Sequence, residues 1–330
     1  MQRRHFIQNT VATAAVAAFT GNLKAAGGAE GASFPVVRTP LEKRKFTSKA
    51  VERVISEVRA KIGNKEMGWL FENCFPNTLD TTVDFAMVDG KPDTYVITGD
   101  IDAMWLRDSS AQVSPYLSLV KEDEQLKLLI AGVINRQTRC ILLDPYANAF
   151  YKDQHTEGDW KSDHTDMKPG LHERKWEIDS LCYPIRLAHR YWKETGDTAP
   201  FDSQWQDSIK LILKTFKEQQ RKENHGPYSF MRTTQWATDT VPGKGYGNPA
   251  RPVGLIFSMF RPSDDATVFP FLVPSNFFAV VSLREAAEML EAISKDAETA
   301  KACRALADEV EAALKTSAII DHPTAGKIFA

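Results

Sequence analysis

The sequence has 330 residues, a formal net charge of −2 at pH 7 and 43% hydrophobic residues, enough to bury a large core. The charge is nearly balanced and scattered, which argues against a nucleic acid or acidic lipid partner, and no apolar run approaches the roughly 20 residues of a membrane span. The four cysteines lie far apart without a CxxC pair, so we predict buried free thiols and no zinc site or redox dithiol.

The N-terminal segment has the layout of a twin-arginine export signal. Arg3 and Arg4 precede a bulky apolar pair, an Ala-rich apolar stretch covers 11–19, and small residues follow to residue 33. We therefore expect export by the twin-arginine route, with a periplasmic location. Residues 1–33 are treated as signal and linker, and 34–330 as the folded part.

The folded part opens with helices and a hairpin. Apolar residues at helical spacing predict a helix over 48–62, and a shorter one is predicted over 67–75. Thr81–Val88 and Thr94–Ile97 alternate and flank Asp89-Gly90, which predicts a β-hairpin.

A loop rich in aspartate follows the hairpin, with the sequence TGDIDAMWLRDSSAQ over 98–112. Its second half is predicted to start a helix, with Asp108 or Ser109 as N-cap. Carboxylates and arginine bind hydroxyl groups and a tryptophan face stacks on a sugar ring, so a sugar site is one interpretation. A solvated capping loop with an Asp–Arg pair is the other, and these residues alone leave both open. The candidate residues are Asp100, Asp102, Trp105, Arg107 and Asp108.

Helices dominate the chain after this loop. They are predicted over 109–119, 123–143, 177–192, 205–216, 276–293 and 297–314, with a short strand over 228–233. The polar, aromatic stretch 145–174 is too long for an ordinary connector, so it is expected to build a site. Strands are few and local, which predicts an all-α array or toroid of helical hairpins rather than a βαβ sheet.

Two further acidic segments stand beside helices. Glu177 and Asp179 open one helix, where acids also simply suit the helix dipole. Asp264 and Asp265 follow Arg261 in a second acidic loop. If the three acidic segments converge, they supply the two carboxyls that glycoside hydrolysis requires. The alternative interpretation is a calcium or magnesium site. No Asp-x-Asp-x-Asp-Gly loop is present, however, and Arg107 and Arg261 would neutralise much of the acidic charge.

Three long motifs together resemble one family. TGDIDAMWLRDSSAQ, KWEIDSLCYPIRLA and FRPSDDATVFPFLVPSNFFAV are similar to glycoside hydrolase family 125, the metal-independent exo-α-1,6-mannosidases, with likeness from about residue 49 to residue 330. The resemblance implies an (α/α)6 toroid, inversion at the anomeric carbon, no cofactor and no metal. It implies that the general acid is Asp264 or Asp265, of which we favour Asp265. It implies that Asp102, Trp105, Arg107 and Asp108 line the terminal mannose site, with Glu177 and Asp179 nearby. Asp100 and Arg261 are further candidate substrate-binding residues.

The resemblance also sets expectations about the substrate and the extent of the chain. The expected partner is an α-mannoside oligosaccharide or glycan, bound by a monomer when the protein is full length. A non-catalytic mannan-binding protein and a toroid hydrolase for another sugar are the alternatives. Because such a toroid needs more helices than we predict here, residues 34–330 are expected to be its N-terminal two thirds. The general base would then lie beyond residue 330, and the chain alone would be inactive and poorly stable.

Overall fold

A computed structural model describes residues 34–329, which are mostly helical. The elements below lie in the compact unit that begins at Arg38. The α-helices are α1 Lys49–Lys61, α2 Lys65–Cys74, α3 Asn77–Thr81, α4 Leu106–Val113, α5 Glu124–Leu143, α6 Ile178–Thr195, α7 Ser203–Gln219, α8 Val273–Met289 and α9 Ala297–Ser317. The strands are β1 Val83–Val88, β2 Lys91–Val96, β3 Met104–Trp105, β4 Ala149–Phe150, β5 Leu171–Glu173, β6 Ile319–His322 and β7 Gly326–Phe329.

The first predicted helix is confirmed, and its cap joins it to α5. The Ser48 hydroxyl accepts the backbone N–H of Val51 at 3.3 Å and donates to Asp123 Oδ2 at 2.7 Å. Asp123 in turn caps α5 by accepting the N–H groups of Gln125 and Leu126. One serine–aspartate contact therefore satisfies the first turns of two helices.

The predicted hairpin is also confirmed. Asp89 and Gly90 have φ values of 50° and 77°, the pair of positive values that a two-residue type I′ turn requires. The hairpin lies against α5, where Gly132 approaches it closely. A Cβ at Gly132 would lie 2.9 Å from the carbonyl carbon of Asp93, so only glycine allows this contact. Arg136 of α5 also bonds Asp93, which fixes the hairpin to the helix.

Helix packing builds the rest of the unit. Helix α8 packs on α9 and on α6, α5 packs on α7, and α4 packs on α6. The apolar faces of these helices meet in one core that includes Trp176, Phe216 and Tyr191. The three small sheets, β1–β2, β3–β4–β5 and β6–β7, are local. The prediction of helical hairpins with few short strands is therefore confirmed.

Two element predictions were wrong. The helix predicted over 109–119 begins earlier, at Leu106, so Trp105 and not Asp108 or Ser109 is its N-cap residue. It is α-helical only to Val113 and continues as a 3-10 helix, because Pro115 cannot donate a helical hydrogen bond. The strand predicted over 228–233 does not form, since this stretch makes one isolated bridge, from Met231 to His164.

Three of the four cysteines are buried free thiols, as predicted, but Cys74 is exposed at the end of α2. Burial raises the pKa of Cys140 and of Cys303 to about 12 and holds that of Cys182 well above its usual value. Over residues 34–329, none of the helices combines the length and apolar character needed to cross a membrane. The proposed signal, 1–33, lies outside the described residues.

Candidate active site

The small sheet β3–β4–β5 positions the first part of the site. Trp105 pairs with Ala149 of β4, and Ala149 pairs with Glu173 of β5. Helix α4 starts directly after β3, so its first turn, with Arg107 and Asp108, faces the start of α6. The polar stretch 145–174 contributes both β4 and β5, in keeping with its predicted role in building a site.

Arg107 lies at the centre of a group of carboxylates that we call the acid cluster. Its Nη1 atom is 2.6 Å from Glu177 Oε2 and 3.6 Å from Asp179 Oδ2. Its Nη2 atom is 3.3 Å from Asp108 Oδ2 and 3.5 Å from Asp264 Oδ1. All three acidic segments of the sequence therefore contribute a carboxylate to one guanidinium.

Burial and mutual repulsion raise the pKa of three carboxyls of this cluster, Glu177, Asp179 and Asp264. Burial raises the pKa of Glu177 well above its usual value; Arg107 opposes this, while the Asp179 and Asp264 charges add to it. Burial likewise raises the pKa of Asp179, against the effect of Arg107. The pKa of Asp264 is raised first by burial and next by the nearby Glu173 charge. One guanidinium cannot neutralise four carboxylates, so neutral carboxyls are favoured here.

The cluster also holds buried polar atoms that lack a hydrogen-bond partner among residues 34–329. Such atoms are rare in folded proteins because each one loses its bonds to water. Among residues 34–329, five of them lie on the carboxyl groups of the acid cluster and one on Trp105, two residues before Arg107, while others lie elsewhere in the fold. Those six atoms are Trp105 Nε1, Asp108 Oδ2, Glu177 Oε1, Asp179 Oδ1 and Oδ2, and Asp264 Oδ1.

The other sequence-predicted residues lie outside the acid cluster. Asp100 and Asp102 are exposed in the loop before β3. Arg261 is half exposed, and its Nη2 lies 3.3 Å from Asp265 Oδ2. Asp265 also accepts a hydrogen bond from the Ser263 hydroxyl at 3.0 Å. The two neighbouring aspartates thus point differently, with Asp264 turned toward Arg107 and Asp265 toward its own loop.

A second group of charges, which the sequence reasoning missed, lies next to the acid cluster. In this support network, Arg232 bonds Asp163, Glu173 and Asp239. Lys175 bonds Glu173 and Asp239 as well. One signal was present in the sequence: His172-Glu173-Arg174-Lys175 is a run of charge beside a buried tryptophan, and Lys175 belongs to the KWEID motif.

The site offers oxygen ligands, but its geometry does not suit a metal ion. Over the described residues 34–329, no three His, Cys, Asp or Glu side chains are arranged to hold a metal. Arg107 stands where a cation would stand, in contact with each carboxylate of the cluster. A guanidinium in the middle of the oxygens disfavours a second positive charge.

Comparison with known proteins assigns the family. The family model of metal-independent alpha-mannosidases (GH125) matches residues 64–330. A solved Streptococcus pneumoniae structure is 40% identical, with a TM-score of 0.81 over 87% of this chain and 67% of that one. It is described as a metal-independent alpha mannosidase in a non-productive substrate complex with alpha-1,6-mannobiose. The meiotically up-regulated gene 157 protein of Schizosaccharomyces pombe is 36% identical over 313 residues.

The chain belongs to the GH125 family of metal-independent alpha-mannosidases. The (α/α)6 fold class predicted from the sequence is confirmed. Residues 34–329 form helical hairpins with few short strands, and they superpose on a solved structure of the same family. The match covers 90% of this chain and 61% of the length of the Schizosaccharomyces pombe relative.

Proposed function

We propose that this protein is an exo-acting α-1,6-mannosidase that releases terminal mannose from oligosaccharides or glycans with inversion. The observation that carries the proposal is the acid cluster, in which buried polar atoms without hydrogen-bond partners lie on carboxyl groups gathered around Arg107, and burial raises the pKa of one of them, Asp264. Family membership and the α-1,6-mannobiose bound to the Streptococcus pneumoniae protein support the linkage.

Sugar binding follows from the donors and acceptors of the cluster. The carboxylate oxygens of Asp108 and Asp179 would accept hydrogen bonds from mannose hydroxyls, and Trp105 Nε1 would donate one. Arg107 already holds these carboxylates together, so they are positioned before the hydroxyls bind. A hydroxyl that bonds one of these buried atoms gives that atom the hydrogen-bond partner it lacks. A buried polar atom without a partner costs about 1–3 kcal/mol, so each such bond favours binding.

The general acid that the geometry favours is Asp264. A general acid must hold its proton near the working pH, and burial together with the nearby Glu173 charge raises the pKa of Asp264. Asp265 instead pairs with Arg261 and Ser263. Its assignment as the acid stays a prediction that a variant pair can test. In an inverting enzyme a second carboxylate activates water about 6.5–9.5 Å from the acid.

The test is hydrolysis of α-1,6-mannobiose by the full-length protein, followed by proton NMR. We expect the first-formed mannose to be the β-anomer, since a single displacement inverts the α-linkage. Initial α-anomer would contradict inversion. Calorimetric binding of the disaccharide without any turnover would favour the non-catalytic mannan-binding alternative, and turnover of other glycosides alone would favour another sugar.

Metal independence is tested with a chelator. Because Arg107 occupies the centre of the carboxylates, we expect the hydrolysis rate to be unchanged after dialysis against EDTA. Loss of activity in EDTA that calcium restores would overturn this expectation. The control is the same dialysis without chelator.

Export is proposed from the sequence of residues 1–33. The paired Arg3 and Arg4 are the feature on which a twin-arginine signal depends. Replacement of both by lysine is expected to retain the protein in the cytoplasm, measured by cell fractionation. Unchanged periplasmic delivery of this variant would contradict the proposed route.

A further inference from the structure

The backbone of Asp264 has an unusual conformation. Its φ is 62°, in the left-handed region that residues other than glycine rarely adopt. The turn around it is closed by two backbone hydrogen bonds, from Asp264 N to Arg261 O at 2.8 Å and from Arg261 N to Asp265 O at 2.9 Å. Such a conformation persists only where neighbouring groups hold it, and this one aims a carboxyl at Arg107.

The side chain of Lys175 bonds this turn through its ammonium group. Its Nζ donates to the backbone carbonyl of Asp264 at 3.1 Å and to Asp239 Oδ1 at 2.8 Å. The same Nζ lies 3.1 Å from Glu173 Oε1, so all three of its N–H bonds have a partner. Lys175 is 3% exposed, and its ammonium lies 5.3 Å from the centre of the Phe260 ring.

A backbone hydrogen bond also joins two of the segments that Lys175 bonds, the Asp264 turn and the segment around Asp239. The N–H of Ala266 donates to the carbonyl of Thr238 at 2.7 Å, which ties the Asp264 turn to the segment that carries Asp239. Lys175 bonds both segments from one ammonium. Lys175 thus bonds the Asp264 turn from outside the acid cluster, whose carboxylates pair with Arg107.

We infer that Lys175 is a positioning residue, whose ammonium holds the Asp264 turn in its left-handed conformation and so places the acid carboxyl beside Arg107. The inference rests on the proposed role of Asp264 as the acid. An uncharged side chain of similar length would not donate a hydrogen bond to the Asp264 carbonyl. Asp239 and Glu173 would each also lose one positively charged partner.

The same lysine also influences the Asp264 proton. The charged groups that act on Asp264 are Glu173 of β5, Lys175 two residues after β5, Arg107 of α4, and Glu177 at the start of α6. Asp179 lies in the same cluster, and Asp239 faces the lysine. Lys175 lowers the pKa of Asp264, whereas Glu173 raises it. Loss of the ammonium should raise the pKa of Asp264 further.

The experiment compares K175M, K175R and the wild-type full-length protein on α-1,6-mannobiose across pH. For K175M we expect kcat/KM at its optimum to fall by about 100-fold, since a displaced catalytic group loses that much. We also expect the alkaline limb of the profile to move up by about one pH unit, because an opposite charge has been removed. K175R keeps the charge, so its limb should stay in place while its rate falls by a smaller factor. K161M, which removes an exposed lysine paired with Glu157, is the matched control and should match wild type.

A readout without substrate separates this inference from the proposed function. Titration of ¹³C-labelled aspartate carboxyls by NMR, with the Asp264 signal identified by its loss in D264N, should show the same upward shift in K175M. If wild type fails to hydrolyse the disaccharide, the proposed function falls while this titration still tests Lys175. A folded K175M with the wild-type rate and limb would overturn the inference. If K175M does not fold, K175Q, which also lacks the charge, takes its place, and a wild-type rate and alkaline limb in that variant would overturn the inference equally.

Discussion

The acid cluster and the support network are adjacent, buried and charged, yet they are built in opposite ways. The support network places two cations, Lys175 and Arg232, among three carboxylates, and its side chains do not include any of the orphaned atoms found among the described residues. The acid cluster places Arg107 alone among four carboxylates and concentrates those atoms. The carboxyl pKa shifts follow this difference: that of Glu177 is raised, whereas Lys175 and Arg232 bring that of Glu173 below its usual value against the effect of burial.

The difference separates a region that stabilises the fold from the region to which we assign ligand binding in the proposed function. A buried charge that is paired and fully hydrogen-bonded contributes rigidity, whereas a buried polar atom without a partner lowers stability. The support network thus fixes the backbone on which the site is built. The acid cluster retains unmet hydrogen bonds that a polyhydroxylated ligand can complete.

The largest expected effect is on catalysis, from Asp264→Asn. Removal of a general acid lowers the rate by about 10²–10⁴-fold, and the neutral amide keeps the size of the side chain. The measurement is kcat/KM on α-1,6-mannobiose. Asp265→Asn is the matched variant and should retain most of the activity, because Asp265 pairs with Arg261. The reverse order of losses would identify Asp265 as the acid.

The next effect tests the support network through stability. Arg232→Met leaves Asp163, Glu173 and Asp239 without their shared guanidinium, and breaking a buried ion pair costs about 3–5 kcal/mol of unfolding free energy. Urea denaturation measures this loss. Arg304→Met, which breaks an exposed pair with Glu291, is the control and should change the midpoint little. Equal losses in the two variants would show that burial does not distinguish these pairs.

A pH-dependent effect follows from Glu177, whose pKa is raised in the folded state by burial. As pH rises above the unfolded value of about 4.5, the unfolded chain loses this proton first, so folding stability falls until the raised pKa is passed. Glu177→Gln removes that loss. The variant should therefore match wild type near pH 4 and exceed it in unfolding free energy at pH 8.

Glu52→Gln is the control with the opposite sign. The hydrogen bond from Arg38 lowers the pKa of Glu52, so its stabilisation is present above about pH 4.5 and disappears as pH falls through the lowered pKa. This variant should be less stable than wild type at neutral pH and equal to it in acid. A Glu177→Gln curve parallel to that of Glu52→Gln would contradict the assignment of protons to the acid cluster.

The smallest expected effect concerns Trp105→Phe. The indole Nε1 has no hydrogen-bond partner among residues 34–329, so the variant loses no hydrogen bond within the protein, and its melting temperature should fall only by the cost of the space that the smaller ring leaves in this buried position. If the indole donates to a mannose hydroxyl, its loss should raise KM about fivefold, equivalent to about 1 kcal/mol. Steady-state kinetics measure the change. A variant with an unchanged KM would remove Trp105 from the binding site.

The sequence allowed the helical fold class and several residues of the acid cluster to be predicted because the signals were local. Apolar spacing placed α1 and α5 nearly to the residue, and Asp89-Gly90 located the hairpin turn. The family motifs contained Arg107, Glu177 and Asp264, which the structure brings together. Local signals failed at α4, because the backbone of β3, and not a capping side chain, decides where that helix begins.

The support network could not be predicted, since its contacts span large distances along the chain. Arg232 meets Glu173 and Asp163 only after the loops that carry them have folded together. The different orientations of the Asp264 and Asp265 side chains could not be predicted either, because they depend on the left-handed φ of Asp264. Motif reading identified the pair, and backbone conformation distinguishes its members.

The uneven exposure of the cysteines makes the protein suited to selective chemical labelling. Cys74 lies at the surface, whereas Cys140, Cys182 and Cys303 are buried and have raised pKa values that keep them in the unreactive thiol form. A maleimide dye added to the folded chain should therefore attach at the end of α2 without any prior cysteine replacement. One such dye would give a fixed optical reference point from which sugar binding could be followed by energy transfer.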